Sequence, residues 1–500
     1  MHSTRERAKR SMQRQSHSRS ARSRTNISRQ QGHSARYSNG SIGSQHLYQY
    51  EKRSKDAFDK IENVLRDVSA IQHEANFTCL AQSLVMSKLG FEIPEQLLKD
   101  SWIKSLDIGK LYAWCVFETF QRFSQEFFTQ QPIAVESEQE FQQFLQSCGF
   151  HTLDVSPCAD GRLAHVISYV LRLPYKSVRR KSYAGALFDV EDSLQKWVET
   201  EMFRHRESRP NAASEPTRYL KMAVYHFSSV QPELQGCAAH GSDVQVAAAA
   251  AKEKLLSFRQ GVENSFCCGA SIDLLLIGLD TDTDSIRVHV PDQNGNMEVD
   301  SYVDTMDLYS RLGPAPQIDE QRMLSYLINS NGNQATTDPQ KGMLKLISRL
   351  VQGNLQQVDY VKKYHGGSYE DIGHQERFIG MGIGFEEIQL RNLTYFSYLN
   401  TVEEGANDLD VGIKIFSGLN VQRGLPIPVI IRYDYHGLVP GAQERAKLRC
   451  QQLETALKKR YADLADKGFI HTLLMIRDCN ADTEAEVIGC SISIGNEAMH

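Results

Sequence analysis

The sequence predicts an α/β fold with an added N-terminal helical domain. Apolar residues recur at three- and four-residue spacing from about residue 51, which is typical of amphipathic helices. From about residue 150, short apolar runs alternate with helical segments, which is typical of a parallel sheet with helices on its faces. With 500 residues, the chain exceeds what one hydrophobic core usually organises, so two or three domains are expected.

Residues 1–44 differ in composition from the rest of the chain. They contain ten Lys and Arg residues, eleven serines and a single acidic residue, Glu6, so they carry a net charge of +9, against −14 for the remainder. Because they hold almost no apolar side chains, burial cannot offset their chain entropy, and we expect a disordered basic arm. Three interpretations stay open: a docking segment for an acidic partner, a solubilising tail and a transit peptide. Nucleic acid is not expected as a partner, because aromatic side chains for base stacking are nearly absent.

A helical domain is predicted over residues 45–135. Its first segment carries one apolar stripe, made up of Ala57, Phe58, Ile61, Val64, Leu65, Val68 and Ile71. Similar stripes follow, and the polar stretch 129–138 ends the series. The longest clear apolar run of the chain, 272–279, has the length of a strand and not of a membrane span, so no membrane partner is expected.

The α/β region begins near residue 150. Strands are predicted at 151–156, 220–227, 271–280 and 285–290, and an alanine-rich helix at 243–264. The same alternation returns from about residue 386. There the sequence predicts strands at 409–416, 425–433 and 469–479 and a helix at 441–465.

A short repeat suggests that the second α/β region is a copy of the first. The tripeptide Leu-Asp-Val opens the first region at residue 153 and a predicted strand of the second at residue 409. In this alignment, Lys414 and Phe416 fill the positions of Cys158 and Asp160, so the second copy has lost its polar ligands. A three-residue match also arises by chance, and that alternative stays open.

Two cysteines and one histidine indicate a metal site. Cys158 follows the first predicted strand and His226 ends the second, and ligands gather beyond the carboxyl ends of parallel strands. Cys237 precedes the alanine-rich helix, whose N-terminus favours a thiolate. Two thiolates and one neutral imidazole balance the charge of Zn²⁺, and catalytic zinc takes three protein ligands.

Other side chains compete for this assignment. Cys237 and His240 could form a separate pair, and the vicinal Cys267 and Cys268 are more typical of a core than of a metal site. The ten cysteines are too sparse for a secreted disulfide scaffold, so reduced thiols are expected. The acidic run "DTDTD" at 280–284 lacks the glycine and the closing glutamate of a calcium loop, and we interpret it as a solvated turn.

The heptapeptide "SPCADGR", residues 156–162, places a carboxylate and a guanidinium two and four residues after Cys158. In an extended segment these side chains face the same way, and an arginine grips a carboxylate through two parallel hydrogen bonds. Asp160 would then stay ionised and accept the hydrogen of a hydroxide nucleophile, whose lone pair it would aim at a substrate carbon. The alternative interpretation of the motif is a surface turn.

This set of residues resembles the zinc site of β-type carbonic anhydrases. More narrowly, six segments are similar to the carboxysomal shell-associated carbonic anhydrases, a branch once set apart as the epsilon class: "SPCADGR", "PTRYLKMAVYHFS", "GCAAHGS", "CCGASIDLLLIG", "DTDTDSIRVHVPD" and "LPIPV". The similarity covers roughly residues 75–480. Ten residues separate His226 from Cys237, as in the carboxysomal branch, whereas common β enzymes have two.

The resemblance implies three domains after the arm: helical over 45–135, zinc-bearing over 136–385, and a degenerate copy of the zinc domain over 386–500. These would be tandem parallel-sheet domains similar to those of β-carbonic anhydrases. It further implies one Zn²⁺ per chain, bound by Cys158, His226 and Cys237. Asp160 and Arg162 would form the orienting pair. His374 would line the pocket, either as a proton shuttle or through a structural hydrogen bond.

The function implied by the resemblance is zinc-dependent reversible hydration of CO₂ to bicarbonate inside the carboxysome, which supplies CO₂ to Rubisco. Rubisco or a shell or scaffold protein is the expected partner of arm 1–44, and a homodimer or dimer-based oligomer is expected. The rival hypothesis is a non-enzymatic cargo or shell adaptor with a closed structural zinc site, for example one that recruits His240. A gate on the activity is also expected, through redox at Cys267 and Cys268 or through an anionic metabolite near residues 177–181.

Overall fold

The computed structural model describes residues 40–99, 105–130, 138–206, 218–265, 271–292, 294–313, 327, 338–481 and 484–492. Most of the predicted arm, and the pair Cys267 and Cys268, lie outside these residues. The described chain falls into two compact units. One is residues 40–53, which are helical throughout, and the other contains the described residues from 54 onward.

The described helices cover the N-terminal region and alternate with strands further on. They are Gly40–Ala70 (α1), Phe77–Leu89 (α2), Glu95–Lys99 (α3), Ile108–Gln130 (α4), Glu138–Ser147 (α5), Val190–Arg206 (α6), Val244–Ser265 (α7), Thr305–Leu312 (α8), Asp338–Tyr364 (α9), Ala406–Leu419 (α10), Ala442–Arg460 (α11) and Ala462–Asp466 (α12). The predicted stripe of α1 is largely buried, at Phe58, Ile61, Val64, Leu65 and Val68. The predicted N-terminal helical region is therefore confirmed. Within the described residues, no helix combines the length and apolarity that a bilayer crossing requires.

The first sheet has six strands in the spatial order β2-β1-β3-β4-β5-β6. They are Thr152–Pro157 (β1), Arg179–Arg180 (β2), Arg218–Phe227 (β3), Ser271–Asp280 (β4), Ile286–His289 (β5) and Val303–Asp304 (β6). Strands β1 to β4 pair in parallel, and β5 returns antiparallel to β4. In the β1–β3 ladder Pro157 lies opposite Val224, so both strands end at the same edge of the sheet.

The second sheet has five strands in the order β11-β10-β9-β7-β8. They are Phe378–Ile383 (β7), Thr394–Ser397 (β8), Ile427–Tyr435 (β9), Ile470–Asp478 (β10) and Glu486–Cys490 (β11). The strands from β7 to β10 pair in parallel, and β11 is antiparallel to β10. The α/β class with mixed, mainly parallel sheets is therefore confirmed. The first strand of this sheet precedes the predicted domain boundary at 386.

One predicted strand is wrong: residues 409–416 lie in helix α10. The segment "LDVGIKIF" fits both periods, because apolar residues alternate along it and also recur at helical spacing. Leu409, Ile413 and Phe416 are buried on one face, so the helical period prevails. The strand alignment that set Lys414 and Phe416 against Cys158 and Asp160 fails with it.

Each sheet has its own hydrophobic core. The first core joins residues between Phe141 and Leu355, and the second joins residues between Ile379 and Ile476. Ala159 packs into the second core, although its neighbour Cys158 belongs to the first. The segment that follows β1 thus contacts the cores of both sheets.

Candidate metal centre

The three predicted zinc ligands converge at the carboxyl edge of the first sheet. Cys158 directly follows β1, His226 is the penultimate residue of β3, and Cys237 precedes the single turn Ala238–His240. One donor atom from each lies within 4.8 Å of the other two. All three side chains are buried. Parallel pairing of β1 with β3 explains why residues so far apart in sequence meet here.

The imidazole of His226 is suited to a cation. Neither ring nitrogen has a hydrogen-bond partner among the described residues, although the residue is only 1% exposed. Oδ2 of Asp160 lies 3.3 Å from Nε2, but the contact lacks hydrogen-bond geometry. A buried polar nitrogen without a partner costs free energy, which a coordinated metal ion would offset. The donor set therefore fits a metal.

The two thiols share a hydrogen bond. It lowers the pKa of Cys237, against the effect of burial, with help from the backbone N–H groups of Ala239 and His240. The same bond and burial raise the pKa of Cys158 well above its usual value. The N–H of Gly185 also donates to Cys158 Sγ at 3.2 Å. A metal binds the thiolate form of cysteine, so binding at this pair would release protons.

Asp160 and Arg162 form a buried bidentate pair. Nε of Arg162 donates to Oδ1 of Asp160 at 3.0 Å, and NH2 donates to Oδ2 at 2.7 Å. Burial opposes ionisation of Asp160, but Arg162 and the nearby His374 and His226 outweigh it and hold its pKa well below the usual range. The carboxylate is therefore ionised and fixed in direction.

The local geometry of the pair differs from the prediction. Residues Gly161–Leu163 form a 3₁₀ turn instead of an extended segment. Asp160 caps that turn by accepting from the backbone N–H of Arg162 at 2.9 Å. Both side chains are buried, at 6% and 0% exposure, so the alternative of a surface turn is wrong as well. The pair forms because the cap and the salt bridge use the same carboxylate.

The remaining N–H groups of Arg162 join two other segments to the pair. NH1 donates to the carbonyls of Gln235 at 2.6 Å and Ile372 at 3.0 Å. NH2 approaches the carbonyl of Gly236 at 3.5 Å. Gln235 and Gly236 precede the ligand Cys237, and Ile372 precedes His374. One guanidinium therefore fixes the approach of three loops to the metal centre.

Comparison with known proteins identifies the family. Models of the family described as Carboxysome Shell Carbonic Anhydrase match the chain in three consecutive parts: N-terminal over 41–128, catalytic domain over 140–374 and C-terminal over 375–492. The carboxysome shell carbonic anhydrase of Prochlorococcus marinus MIT 9313 is 51% identical over 462 residues, which cover 91% of this chain and 89% of the relative. That of Parasynechococcus marenigrum WH8102 is 51% identical over 91% of this chain and 79% of its own length. That of Halothiobacillus neapolitanus is 42% identical over 87% of this chain and 86% of its own length.

The chain belongs to the carboxysome shell carbonic anhydrase family. The recognition made from the sequence motifs is thereby confirmed, and so is the predicted enzyme class. The assignment of individual site residues stays a prediction, because the comparisons match whole segments.

His374 lies beside the pair, as predicted for this family. Its Nε2 is 3.8 Å from Oδ2 of Asp160, and its Nδ1 is 3.0 Å from Oε1 of Glu376. Burial lowers the pKa of His374, but the carboxylates of Asp160 and Glu376 outweigh that effect and raise the pKa to about 9. The side chain keeps 22% exposure, so it connects the buried site with the surface.

Glu376 was not predicted from the sequence. It is 3% exposed, and it accepts hydrogen bonds from His374 and from the backbone N–H of Gly161. A Cβ at residue 161 would lie 2.5 Å from Cγ of Glu376, which explains the glycine in the motif "SPCADGR". Gly161, between the aspartate and the arginine, was the one sequence signal of a close neighbour at that position. It does not identify the neighbour as Glu376.

Other predicted residues do not join the site. His240 Nε2 lies 3.1 Å from the carbonyl oxygen of Gly185, and it is not part of the three-ligand group. In the predicted anion site, Arg180 donates to the carbonyls of Ala164 and Leu163. Lys181 pairs with Asp192 at 3.0 Å. These two cations already have protein partners.

The "DTDTD" run is not the solvated turn that we predicted. Asp280, Asp282 and Asp284 are 3%, 0% and 0% exposed. Asp282 accepts from Ser228 Oγ and the N–H of Val230, and Asp284 from His165, Gln357 and Tyr369. Hydrogen bonds from residues distant in sequence offset the cost of burying these carboxylates. The local composition of the run does not reveal such partners.

Replacement of Arg162 by lysine should destabilise the protein strongly. Lysine keeps the charge but cannot bridge both oxygens of Asp160 and three backbone carbonyls. We expect the free energy of unfolding to fall by about 3–5 kcal/mol, as when a buried ion pair is broken. Chemical denaturation measures it. The control is Arg179→Lys, since Arg179 is exposed and donates only a 3.4 Å bond to the carbonyl of Lys196. Equal stability of the two variants would contradict the bracing role.

Proposed function

We propose that this protein catalyses the reversible hydration of CO₂ to bicarbonate with one Zn²⁺ held by Cys158, His226 and Cys237. The observation that carries the proposal is the convergence of two thiols and an unpartnered imidazole beside a carboxylate held by a buried arginine. Membership of a carbonic anhydrase family supports the same reaction. Two sulfur donors and one nitrogen donor are typical of zinc.

Held by Cys158, His226 and Cys237, zinc would supply the nucleophile, because such sites lower the pKa of water to about 7. The protein supplies orientation. Oδ1 of Asp160 accepts from the backbone N–H and from Nε of Arg162, and Oδ2 accepts from NH2. The other side of Oδ2 faces His226 and His374. An ionised carboxylate only accepts hydrogen bonds. Asp160 therefore accepts the hydrogen of the attacking oxygen and directs the oxygen lone pair towards CO₂.

Each turnover releases one proton, which has to leave a buried site. His374 is a titratable group whose Nε2 lies 3.8 Å from Oδ2 of Asp160, and its side chain is 22% exposed. With a pKa of about 9 the ring is protonated at neutral pH, so it first gives a proton to buffer and then takes up the next proton at Nε2. Because this export follows the release of bicarbonate, it is a reasonable slow step of the cycle.

The carboxysome is the proposed site of action, since the relatives are named for its shell. There the net reaction would be dehydration, which supplies CO₂ to Rubisco. The basic arm would dock on an acidic partner such as Rubisco or a shell or scaffold protein, and a homodimer or a dimer-based oligomer is proposed. Family membership favours the enzyme over the rival adaptor, and no specific observation favours that rival.

The second sheet is proposed to be a degenerate copy of the first. The five strands of the second sheet have the same order and directions as strands β2, β1, β3, β4 and β5 of the first, and β6 has no counterpart among the described residues. Asp280 at the end of β4 accepts from the N–H groups of Ser229 and Asp282, and Asp478 at the end of β10 accepts from those of Gly437 and Asn480. These shared bonds now support the proposed duplication, in place of the sequence alignment that failed at residues 409–416. The domain division 45–135, 136–385 and 386–500 is part of this proposal.

Matching the two sheets through these bonds supports the loss of the ligands from the proposed second copy. Phe227 pairs with Asp280 in the first sheet as Tyr435 pairs with Asp478 in the second, so His226 corresponds to Asp434. Val224 pairs with Pro157 as Arg432 pairs with Gly382, so Cys158 corresponds to Ile383. Neither a thiol nor an imidazole remains at these positions. One metal centre per chain follows.

Replacement of either cysteine ligand should remove zinc and activity together. Serine is a poor zinc ligand at neutral pH, so we expect less than about one tenth of the wild-type zinc and CO₂ hydration in Cys158→Ser and Cys237→Ser. Metal analysis and stopped-flow hydration measure both quantities. The control is Cys450→Ser, because Cys450 is also a buried free thiol but lies in the second core. Wild-type zinc and turnover in either ligand variant would rule out the ligand set.

Deletion of residues 1–39 should separate catalysis from localisation. The deletion ends where α1 begins, so it spares the described fold. We expect wild-type turnover of the purified protein, but loss from purified carboxysomes, because an arm rich in cations binds through charge. Binding to the isolated partner should also weaken with salt. Carboxysomes that keep the truncated protein at the wild-type level would refute the docking role of the arm.

A further inference from the structure

Glu376 contacts both His374 and Gly161, the residue between Asp160 and Arg162. Its Oε1 accepts from the N–H of Gly161 at 3.2 Å and lies 3.0 Å from Nδ1 of His374. Its other oxygen, Oε2, is buried and has no hydrogen-bond partner among the described residues. Glu376 is thus a nearly inaccessible carboxylate whose side-chain partner is the imidazole of His374.

This contact decides which nitrogen of His374 carries a hydrogen. A carboxylate has no hydrogen to donate, so Nδ1 of His374 is the donor in the bond to Glu376. Nε2 is then the nitrogen with a free lone pair in the neutral ring. It is also the nitrogen that faces Oδ2 of Asp160, at 3.8 Å. A ring nitrogen's protonation is commonly set in this way by the hydrogen bond of the other nitrogen.

The backbone around Glu376 holds the carboxylate in place. The N–H of Gln375 donates to Oδ1 of Asn392 at 3.1 Å, and the N–H of Asn392 donates to the carbonyl of Gly161 at 2.8 Å. On the other side, the N–H of Arg377 donates to the carbonyl of Leu393 at 2.8 Å. Glu376 therefore reaches the site from the segment that leads into the second sheet. These bonds fix its backbone, and the bonds to Gly161 and His374 fix its carboxylate.

We propose that Glu376 is a positioning residue for proton transfer, because it holds Nδ1–H of His374 and so presents Nε2 to the proton released in the site. The role rests on the proposed hydration of CO₂. In the forward step the neutral ring, which exists once an earlier proton has left for buffer, gains the proton at Nε2. It thereby returns to the imidazolium that prevails at neutral pH, whose charge is balanced by Glu376 and Asp160. Nε2 then gives the proton to buffer at the exposed edge of the ring, which restores the starting tautomer. The raised pKa of His374 agrees with two carboxylates that stabilise the protonated ring.

The test compares Glu376→Ala and Glu376→Gln with the wild-type holoenzyme. Proton export follows product release, so its loss lowers kcat and leaves kcat/KM unchanged. We expect Glu376→Ala to lower kcat about tenfold or more at wild-type zinc content. Imidazole buffer should restore kcat, because it takes the proton directly. Glutamine keeps an acceptor oxygen for Nδ1–H, so Glu376→Gln should lose less. The control Glu370→Gln removes an exposed carboxylate from the same loop and should keep the wild-type kcat.

A spectroscopic readout separates this proposal from the proposed function. Nitrogen NMR of labelled histidine, at a pH above the pKa of His374 and with assignment by His374→Ala, reports the tautomer of the neutral ring. We expect hydrogen on Nδ1 in the wild type and a mixture of tautomers in Glu376→Ala.

A wild-type ring with hydrogen on Nε2, equal losses of kcat and kcat/KM, or no response to imidazole would overturn the positioning role. A wild type without CO₂ hydration would end the proposed function, and the tautomer would still decide whether Glu376 positions the ring. Should the alanine variant not fold, the same criteria apply to Glu376→Gln.

Discussion

The buried guanidinium of Arg162 is the interaction on which the site depends. It holds both oxygens of Asp160 and reaches carbonyls in the loops that carry Cys237 and His374. A buried charge of this kind is tolerated only when its partners are complete, so the three loops are fixed together or not at all. The ion pair keeps the carboxylate charged at depth, which an uncompensated aspartate could not achieve.

The two halves of the molecule contribute unequally to one site. The first half provides the proposed ligands, Cys158 and His226 at the ends of two neighbouring strands and Cys237 in the loop after β3. The segment before the second sheet provides Glu376. At the corresponding edge of the second sheet, Arg432 is fully buried and pairs with Glu387 and Asp434. These charges satisfy one another. In the proposed correspondence of the two sheets, a salt-bridged cluster occupies the second sheet where the first has the proposed metal ligands.

Much of the fold could be predicted from the sequence, because apolar runs and helical stripes are local signals. The strand before Cys158 and the strand that carries His226 were predicted within a few residues, and their parallel pairing follows from the alternation of elements. The segment 409–416 failed because one set of apolar residues fits two periods. Burial of the "DTDTD" run and the role of Glu376 were missed for another reason. Each depends on partners far away in sequence, such as Gln357 for Asp284 and Gly161 for Glu376, and no local pattern reports such contacts.

We propose that two sulfurs and one imidazole hold a single ion that keeps one position for solvent. X-ray absorption at the zinc edge of the purified protein tests it most directly. The account predicts two sulfur atoms at about 2.3 Å, one nitrogen at about 2.0–2.1 Å and one further light atom that exchanges with added anions. A first shell with four protein ligands, or with fewer than two sulfurs, would contradict it.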